Sequence, residues 1–245
     1  MPKTPYFPAD HAPLIASLLR RNGLSGEDRA EALSDFCNRL LVKNQVMNLT
    51  AITEPGAVAL KHIADSLALS RFLPEGARLI DVGSGAGFPS VPLAILRPDL
   101  RIVALDSTAK RVDFIRTCGQ EMGLSNLGGL VGRAEELGRD SNHRERFDVA
   151  TARAVADLRV LSELCLPLVR VGGRFLAMKG GDVGEECEGA LRAISRLGGR
   201  LVGVERYALS SEEESIERSV VVVEKVSPTP SELPRGYGAM VKKGL

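Results

Sequence analysis

The stretch "LIDVGSGAGFPS", residues 79–90, decides the fold. An apolar run meets Asp81, breaks into glycines at every second position (Gly83, Gly85, Gly87) and ends on Phe88, Pro89 and Ser90. A bend of this kind, between a strand and a helix, is where a doubly wound α/β sheet takes its ligand. Residues without side chains permit positive φ there and let a ligand approach the backbone. Pro89 and Pro92 suit the first turn of the following helix, where their missing N–H groups would be unpaired in any case.

The surrounding pattern agrees. From Ala77 onward, short β-branched runs predict strands at 77–83, 101–106, 128–132, 147–153, 173–179, 200–209 and 218–226. Helical stretches lie between most of them, such as Thr108 to Met122, with Val112, Ile115 and Cys118 on one face and Gly123 as a stop. The alternation predicts a parallel, doubly wound α/β sheet. Only the acidic run "SSEEESIE" (210–217), read as a solvated loop, separates the last two strands. It is too short for a crossover helix, so they are expected to form an antiparallel hairpin at one edge. Upstream, residues 27–47 place Ala30, Leu33, Phe36, Cys37, Leu40 and Leu41 on one helical face, and 55–72 also read as helix. The expected organisation is a helical extension (1–75), a core (76–226) and an irregular basic surface tail (227–245) carrying three prolines and three glycines.

Composition narrows the classes. Across 245 residues, 32 Lys and Arg balance 31 Asp and Glu, which excludes coating of nucleic acid by net charge alone. Cys37, Cys118, Cys165 and Cys187 form no C-x-x-C pair and have no clustered histidines beside them, so no metal is expected and the thiols read as buried and reduced. The start, "MPKTPYFPADHAPL", lacks the apolar core of a signal peptide, and no run approaches the roughly 18 apolar residues of a membrane span. A cytoplasmic protein is expected. His11 and His143 read as surface histidines.

The bend excludes some ligands. Phe88 stands where the dinucleotide fingerprint G-x-G-x-x-G has its last glycine, and no Gly-Lys-Ser/Thr follows for a P-loop. A carboxylate as near as Asp81 would repel a pyrophosphate by about 1 kcal/mol at 4 Å in water and about 4 kcal/mol at an effective dielectric of 20. A cationic nucleoside without phosphate, S-adenosylmethionine, fits better. Asp106 ends the second strand, where an acidic side chain accepts ribose hydroxyls. Ala134 and Glu135 are placed to flank an adenine.

Beyond these, "NLT" (48–50), "KHIADSL" (61–67), "IDVGSGAGFPSVPLAI" (80–95), "LDSTAKRVDFI" (105–115), "GRAEEL" (132–137), "ARAVADL" (152–158), "MKG" (178–180) and "TPSELPRGYG" (229–238) resemble, in this order, the bacterial small-subunit ribosomal RNA methyltransferase G family, GidB. The resemblance implies a class I methyltransferase fold and methylation of nitrogen 7 of guanine 527, in the 530 loop of 16S rRNA, with S-adenosylmethionine as donor. It carries cofactor contacts onto Gly83, Phe88, Asp106, Ser107, Thr108, Ala134, Glu135 and Arg153, beside Asp81 and Gly85 from the bend itself. Two residues depart from the family pattern. Ser90 replaces a glycine and is expected to serve as an N-cap; Ala239 stands where proline is common.

Nitrogen 7 has a free lone pair and loses no proton, so no general base is required and no catalytic residue is assigned. Orientation alone can recover about 7–11 kcal/mol of barrier. The guanine must be unpaired or flipped out. With no Trp, three Tyr and seven Phe, an extended stacking platform is not expected, and one aromatic, Phe88 or Tyr237, suffices. Arg153 and Lys179 end parallel strands on the ligand side and are positioning candidates. His62, Asp65 and Ser66 share a helical turn and serve either a packing network or the substrate pocket. Phosphate contacts are expected from Lys110, Arg111, Lys179, Arg235, Lys242 and Lys243. The expected partner is 16S rRNA or the 30S subunit, met by a monomer. The rival readings are a small-molecule methyltransferase, a nicotinamide-dependent oxidoreductase and a non-catalytic RNA-binding factor.

Overall fold

The computed structural model describes residues 8–153 and 156–245. Met1 to Phe7 of the N-terminal stretch, and Ala154 and Val155 of "ARAVADL", lie outside the described residues.

Seven strands form one sheet: β1 (Arg78–Val82), β2 (Arg101–Asp106), β3 (Leu127–Val131), β4 (Phe147–Arg153), β5 (Val169–Gly180), β6 (Gly199–Ser210) and β7 (Ser215–Lys225). Their order is β3-β2-β1-β4-β5-β7-β6. The first five are parallel, and β7 runs antiparallel to both β5 and β6. The chain reverses direction in space beside β1, so the bend after β1 opens at the switch point of the sheet, between the ends of β2 and β4. Val220 to Val223 of β7 are all buried, as a strand covered on both faces requires, while β6 is the outer strand and alternates.

The described helices are α1 (Ala12–Arg21), α2 (Ala30–Met47), α3 (Pro55–Val58), α4 (Asp65–Ala68), α5 (Ser90–Leu96), α6 (Ala109–Glu121), α7 (Ala134–Leu137), α8 (Leu158–Cys165), α9 (Gly184–Arg196) and α10 (Tyr237–Lys242). A π-helical turn, Ala59–Ala64, joins α3 to α4, so 55–72 is helical throughout but changes pitch where Lys61 and His62 stand. Ile80, Val82, Ala150 and Phe175 pack with α8 and α9, whereas Leu79, Ile102, Val149 and Leu176 face α5. The face of α2 read from the sequence is buried, and its Phe36 meets Phe88 at 5.2 Å and Phe114 at 6.4 Å between ring centroids. Burial of one such ring stabilises by about 1.5–3 kcal/mol. The helical extension therefore props the glycine bend from behind.

Four expectations change. The tail is irregular only up to Gly236: it then forms α10, and it buries Leu233 and Met240 in the main core. Arg144 closes it by donating to the carbonyls of Thr229, Pro230 and Leu233, and fully buried Lys225 donates to Thr229 Oγ1 at 2.6 Å while pairing with Glu145 at 3.0 Å. The acidic run is tied down rather than merely solvated, with Glu212 on Arg21 at 3.2 Å and Glu214 on Lys61 at 2.9 Å. His11 is buried at the start of α1, its backbone N–H on Ser34 Oγ. Ser90 is a fully buried first residue of α5 rather than an N-cap.

Candidate functional site

A cleft of about 780 Å³ opens beyond the strand ends. At its centre the bend takes positive φ at Gly83 (75°), Gly85 (57°) and Gly87 (95°). A Cβ at Gly87 would meet Val91 Cγ2 at 2.7 Å, whereas one at Gly85 would meet nothing nearer than the Gly83 carbonyl at 3.9 Å. Gly87 is thus demanded by packing behind the bend and Gly85 by the space in front of it, a cradle that a side chain would fill.

Asp106 fixes the bend to β2. Its Oδ2 accepts the Gly85 N–H at 3.0 Å and its Oδ1 the Thr108 N–H at 2.8 Å. Gly83, Gly85, Phe88, Asp106, Ser107, Ala134, Glu135 and Arg153 all line the cleft. Thr108 does not; it occupies the N-cap position of α6 and gives its N–H to Asp106. Asp81 does not either. It is fully buried on the α5 side of β1, its Oδ2 accepting the Ser90 hydroxyl at 2.5 Å, and its Oδ1 has no hydrogen-bond partner among the described residues. The expectation that Asp81 faces the ligand across the bend is therefore corrected. Burial raises its pKa to about 7, against the opposing effects of Ser90 and the Arg153 charge.

The other half of the cleft is built around Asp65. This buried carboxylate accepts Arg218 Nε at 3.1 Å and the Tyr207 hydroxyl at 3.3 Å on Oδ1, and Arg153 Nη1 at 3.3 Å on Oδ2. Arg153 also donates to the Lys61 carbonyl and lies 5.2 Å from the Phe88 ring centroid. His62 packs on Phe88 with centroids 4.6 Å apart. The Lys61 carbonyl, 3.1 Å away, can only accept, so the proton is assigned to His62 Nδ1 and the Thr50 hydroxyl to Nε2 at 3.0 Å. Burial, and then the charge of Arg153, push His62 down to about 3, so it is neutral at ordinary pH. Ser66 bonds its own helix, donating to the His62 carbonyl.

Phe88 is enclosed by Phe36, His62 and Arg153 and cannot stack an incoming base. Tyr237, carried to the rim by α10, is 36% exposed and lies 5.9 Å from the Arg133 guanidinium. Of the basic candidates, Arg111 and Lys179 line the cleft; Lys179 is held by Glu186 at 2.6 Å and the Ala156 carbonyl at 2.8 Å. Lys110 lies instead in a hollow between α2 and α6 with Arg39 and Lys43. Arg235 is committed to buried Glu163 and the Lys243 carbonyl, a lock on the tail. Lys242 and Lys243 are exposed at the end of α10. Lys61, Arg133, Tyr207 and Arg218 were not singled out from sequence; the one signal available was an arginine two residues ahead of the apolar run at 220–223.

Sheet order, glycine bend and strand-end acid together define a class I methyltransferase. The chain belongs to the rRNA small subunit methyltransferase G family, GidB, whose model matches residues 29–214. It is 43% identical over 234 residues to the ribosomal RNA small subunit methyltransferase G of Brevibacillus brevis, covering 94% of this chain and 98% of that one. Against the Deinococcus radiodurans protein of the same name the identity is 43% over 239 residues, covering 95% and 94%. Among solved structures, an S-adenosylmethionine-dependent O-methyltransferase from Thermotoga maritima matches with TM-score 0.50 and 18% identity over 78% of this chain and 72% of that one. Geranyl diphosphate C-methyltransferase from Streptomyces coelicolor, solved with S-adenosylhomocysteine, matches with TM-score 0.51 and 14% identity over 66% and 79%. These two likenesses concern the fold. The family makes the chain a methyltransferase, and the open cradle at Gly85 beside the Asp106 carboxylate fits S-adenosylmethionine as its donor.

Proposed function

We propose that the protein methylates nitrogen 7 of a guanine in 16S rRNA, guanine 527 of the 530 loop, by direct in-line transfer from S-adenosylmethionine without a general base. The observation that carries this reading is that the proton acceptors around the Asp65 end of the cleft are already committed. Asp65 is engaged by Arg153 and Arg218 and His62 Nε2 by Thr50, while Asp106 and Glu135 stand at the donor end. Chemistry that removes no proton suits such a site.

In this reading Gly83, Gly85, Asp106, Ser107, Ala134 and Glu135 hold the adenosine of the donor. The unpartnered Asp81 Oδ1, behind Val82 and Gly83, attracts its ammonium group from the second layer. Arg153, Lys179, Arg218 and Lys61 receive the RNA, and Tyr237 stacks a base at the rim. Six Lys and Arg side chains line the cleft against the three acids Asp65, Asp106 and Glu135, a balance that favours a polyanionic acceptor over a neutral small molecule. The helical extension (1–75) frames the acceptor end and the tail (227–245) the donor end of the core (76–226), and the protein acts as a cytoplasmic monomer. The test is incubation with tritiated S-adenosylmethionine and either 30S subunits or naked 16S rRNA, followed by mapping of the label. Label at guanine nitrogen 7 is expected; its absence from every guanine nitrogen 7 overturns the reading.

A further inference from the structure

Asp106 has fewer acceptor sites than the donors that compete for it. A carboxylate offers about four lone-pair sites. Thr108 and Gly85 fill two of them through their backbone N–H groups. Arg111 Nη1 lies 3.5 Å from Oδ2, the oxygen that Gly85 also uses. A ribose diol donates two hydrogen bonds to such a carboxylate and takes the remaining sites. Arg111 is then left without an acceptor there. Its side chain, 43% exposed in the first turn of α6 and lining the cleft mouth, is free to turn outward without unpacking the core.

We propose that Arg111 is an RNA contact gated by the methyl donor: it rests on Asp106 until the donor ribose claims that carboxylate, and then reaches an RNA phosphate beside the acceptor base. This rests on the reading of the cleft as a joint site for S-adenosylmethionine and rRNA, and adds an order of binding to it. Donor and RNA bind cooperatively, and reciprocity requires that each raise the affinity of the other by the same factor. Lys61 supplies the contrast. Its partner is Glu214, at 2.9 Å, a carboxylate that the donor does not touch in this reading.

The experiment measures binding of the full chain to a labelled 16S rRNA fragment carrying the 530 loop, alone and with saturating sinefungin or S-adenosylhomocysteine, neither of which transfers a methyl group. RNA affinity is expected to rise about tenfold with either analogue. The slope of log K against log salt is expected to steepen by about 0.7, the signature of one added phosphate contact on a single strand. Arg111→Gln binds both analogues at least as tightly as the parent protein, having lost the competitor for Asp106, and shows neither the gain nor the steeper slope. Lys61→Gln weakens RNA binding in every arm but keeps the gain. Equal RNA affinity with and without bound analogue, or an Arg111→Gln variant that keeps the gain, overturns the proposal and leaves the methylation reading standing. Failure of the parent protein to bind the RNA in any arm overturns the proposal, while the methylation reading falls only if no guanine nitrogen 7 is labelled on 30S subunits or on naked 16S rRNA.

Discussion

Ser90 and Asp81 share a 2.5 Å hydrogen bond in which neither side chain reaches solvent. Because burial raises Asp81 to about 7, above its ordinary 3.8, the folded protein holds that proton more tightly than the unfolded chain. Stability contributed by protonation is therefore gained as pH falls through 7 and is complete only below about 4. Asp81→Asn is expected to melt higher than the parent at pH 8, with the difference shrinking towards pH 4. Calorimetry at pH 8 should also find weaker binding of S-adenosylmethionine, since the variant offers its ammonium no charge. A melting difference that does not change with pH rules this out.

Asp65 holds two arginines, one on each oxygen, and Asp65→Asn leaves both without their counter-charge. Breaking a fully buried pair costs about 3–5 kcal/mol. Arg153 and Arg218 keep some solvent contact, so about 2 kcal/mol is expected from urea denaturation. The loss in kcat/KM should exceed that produced by Tyr207→Phe, which removes only a neutral donor.

His62 is expected to act by shape and not by titration. Its pKa of about 3 lies below the ordinary 6.5, so the fold loses stability as pH drops from 6.5 towards 3, where the unfolded chain takes up a proton that the folded one refuses. His62→Gln should flatten that part of the acid denaturation curve. Loss of a general base lowers rates by about 10²–10⁴; here kcat is expected to fall less than about tenfold, as measured by single-turnover methyl transfer.

Phe36→Ala, although it lies in the helical extension, is expected to cost about 3–5 kcal/mol of stability. It should also weaken donor binding in equilibrium dialysis, because Phe88 in the glycine bend loses the ring that backs it. Leu14→Ala, at an exposed position of α1, serves as the control and should change neither quantity.

The sheet was legible because its signals are local. Each strand is a β-branched run, and four residues between β6 and β7 leave room only for a hairpin. The half of the cleft proposed for the donor was legible for the same reason, being one bend and two strand ends. The acceptor half was not, since Lys61, Tyr207 and Arg218 come from a π turn and the ends of two strands, and meet only through Asp65 or its neighbours. Asp81 misleads in sequence because its distance from Gly83 does not state a direction. Alternation along β1 turns Ile80 and Val82 to one face and Leu79 and Asp81 to the other, where Ser90 waits. The tail hid its burial in isolated apolar residues, and the groups that fix it, Arg144 on the Leu233 carbonyl and Glu163 on Arg235, stand far upstream.

One consequence concerns the life of the protein in a crowded solution. The outer strand β6 exposes a row of backbone groups that another chain could pair with. Its last rung is taken: Asn22 accepts the Ser210 N–H at 2.8 Å and donates its amide to the Ser210 carbonyl at 2.9 Å. A side-chain amide at the end of α1 thus stands in for one residue of an eighth strand. Along the rest of β6, Arg200, Glu205 and Arg206 are exposed and make the edge strand charged, which disfavours pairing with a foreign strand. The first helix guards the sheet against joining a neighbour's.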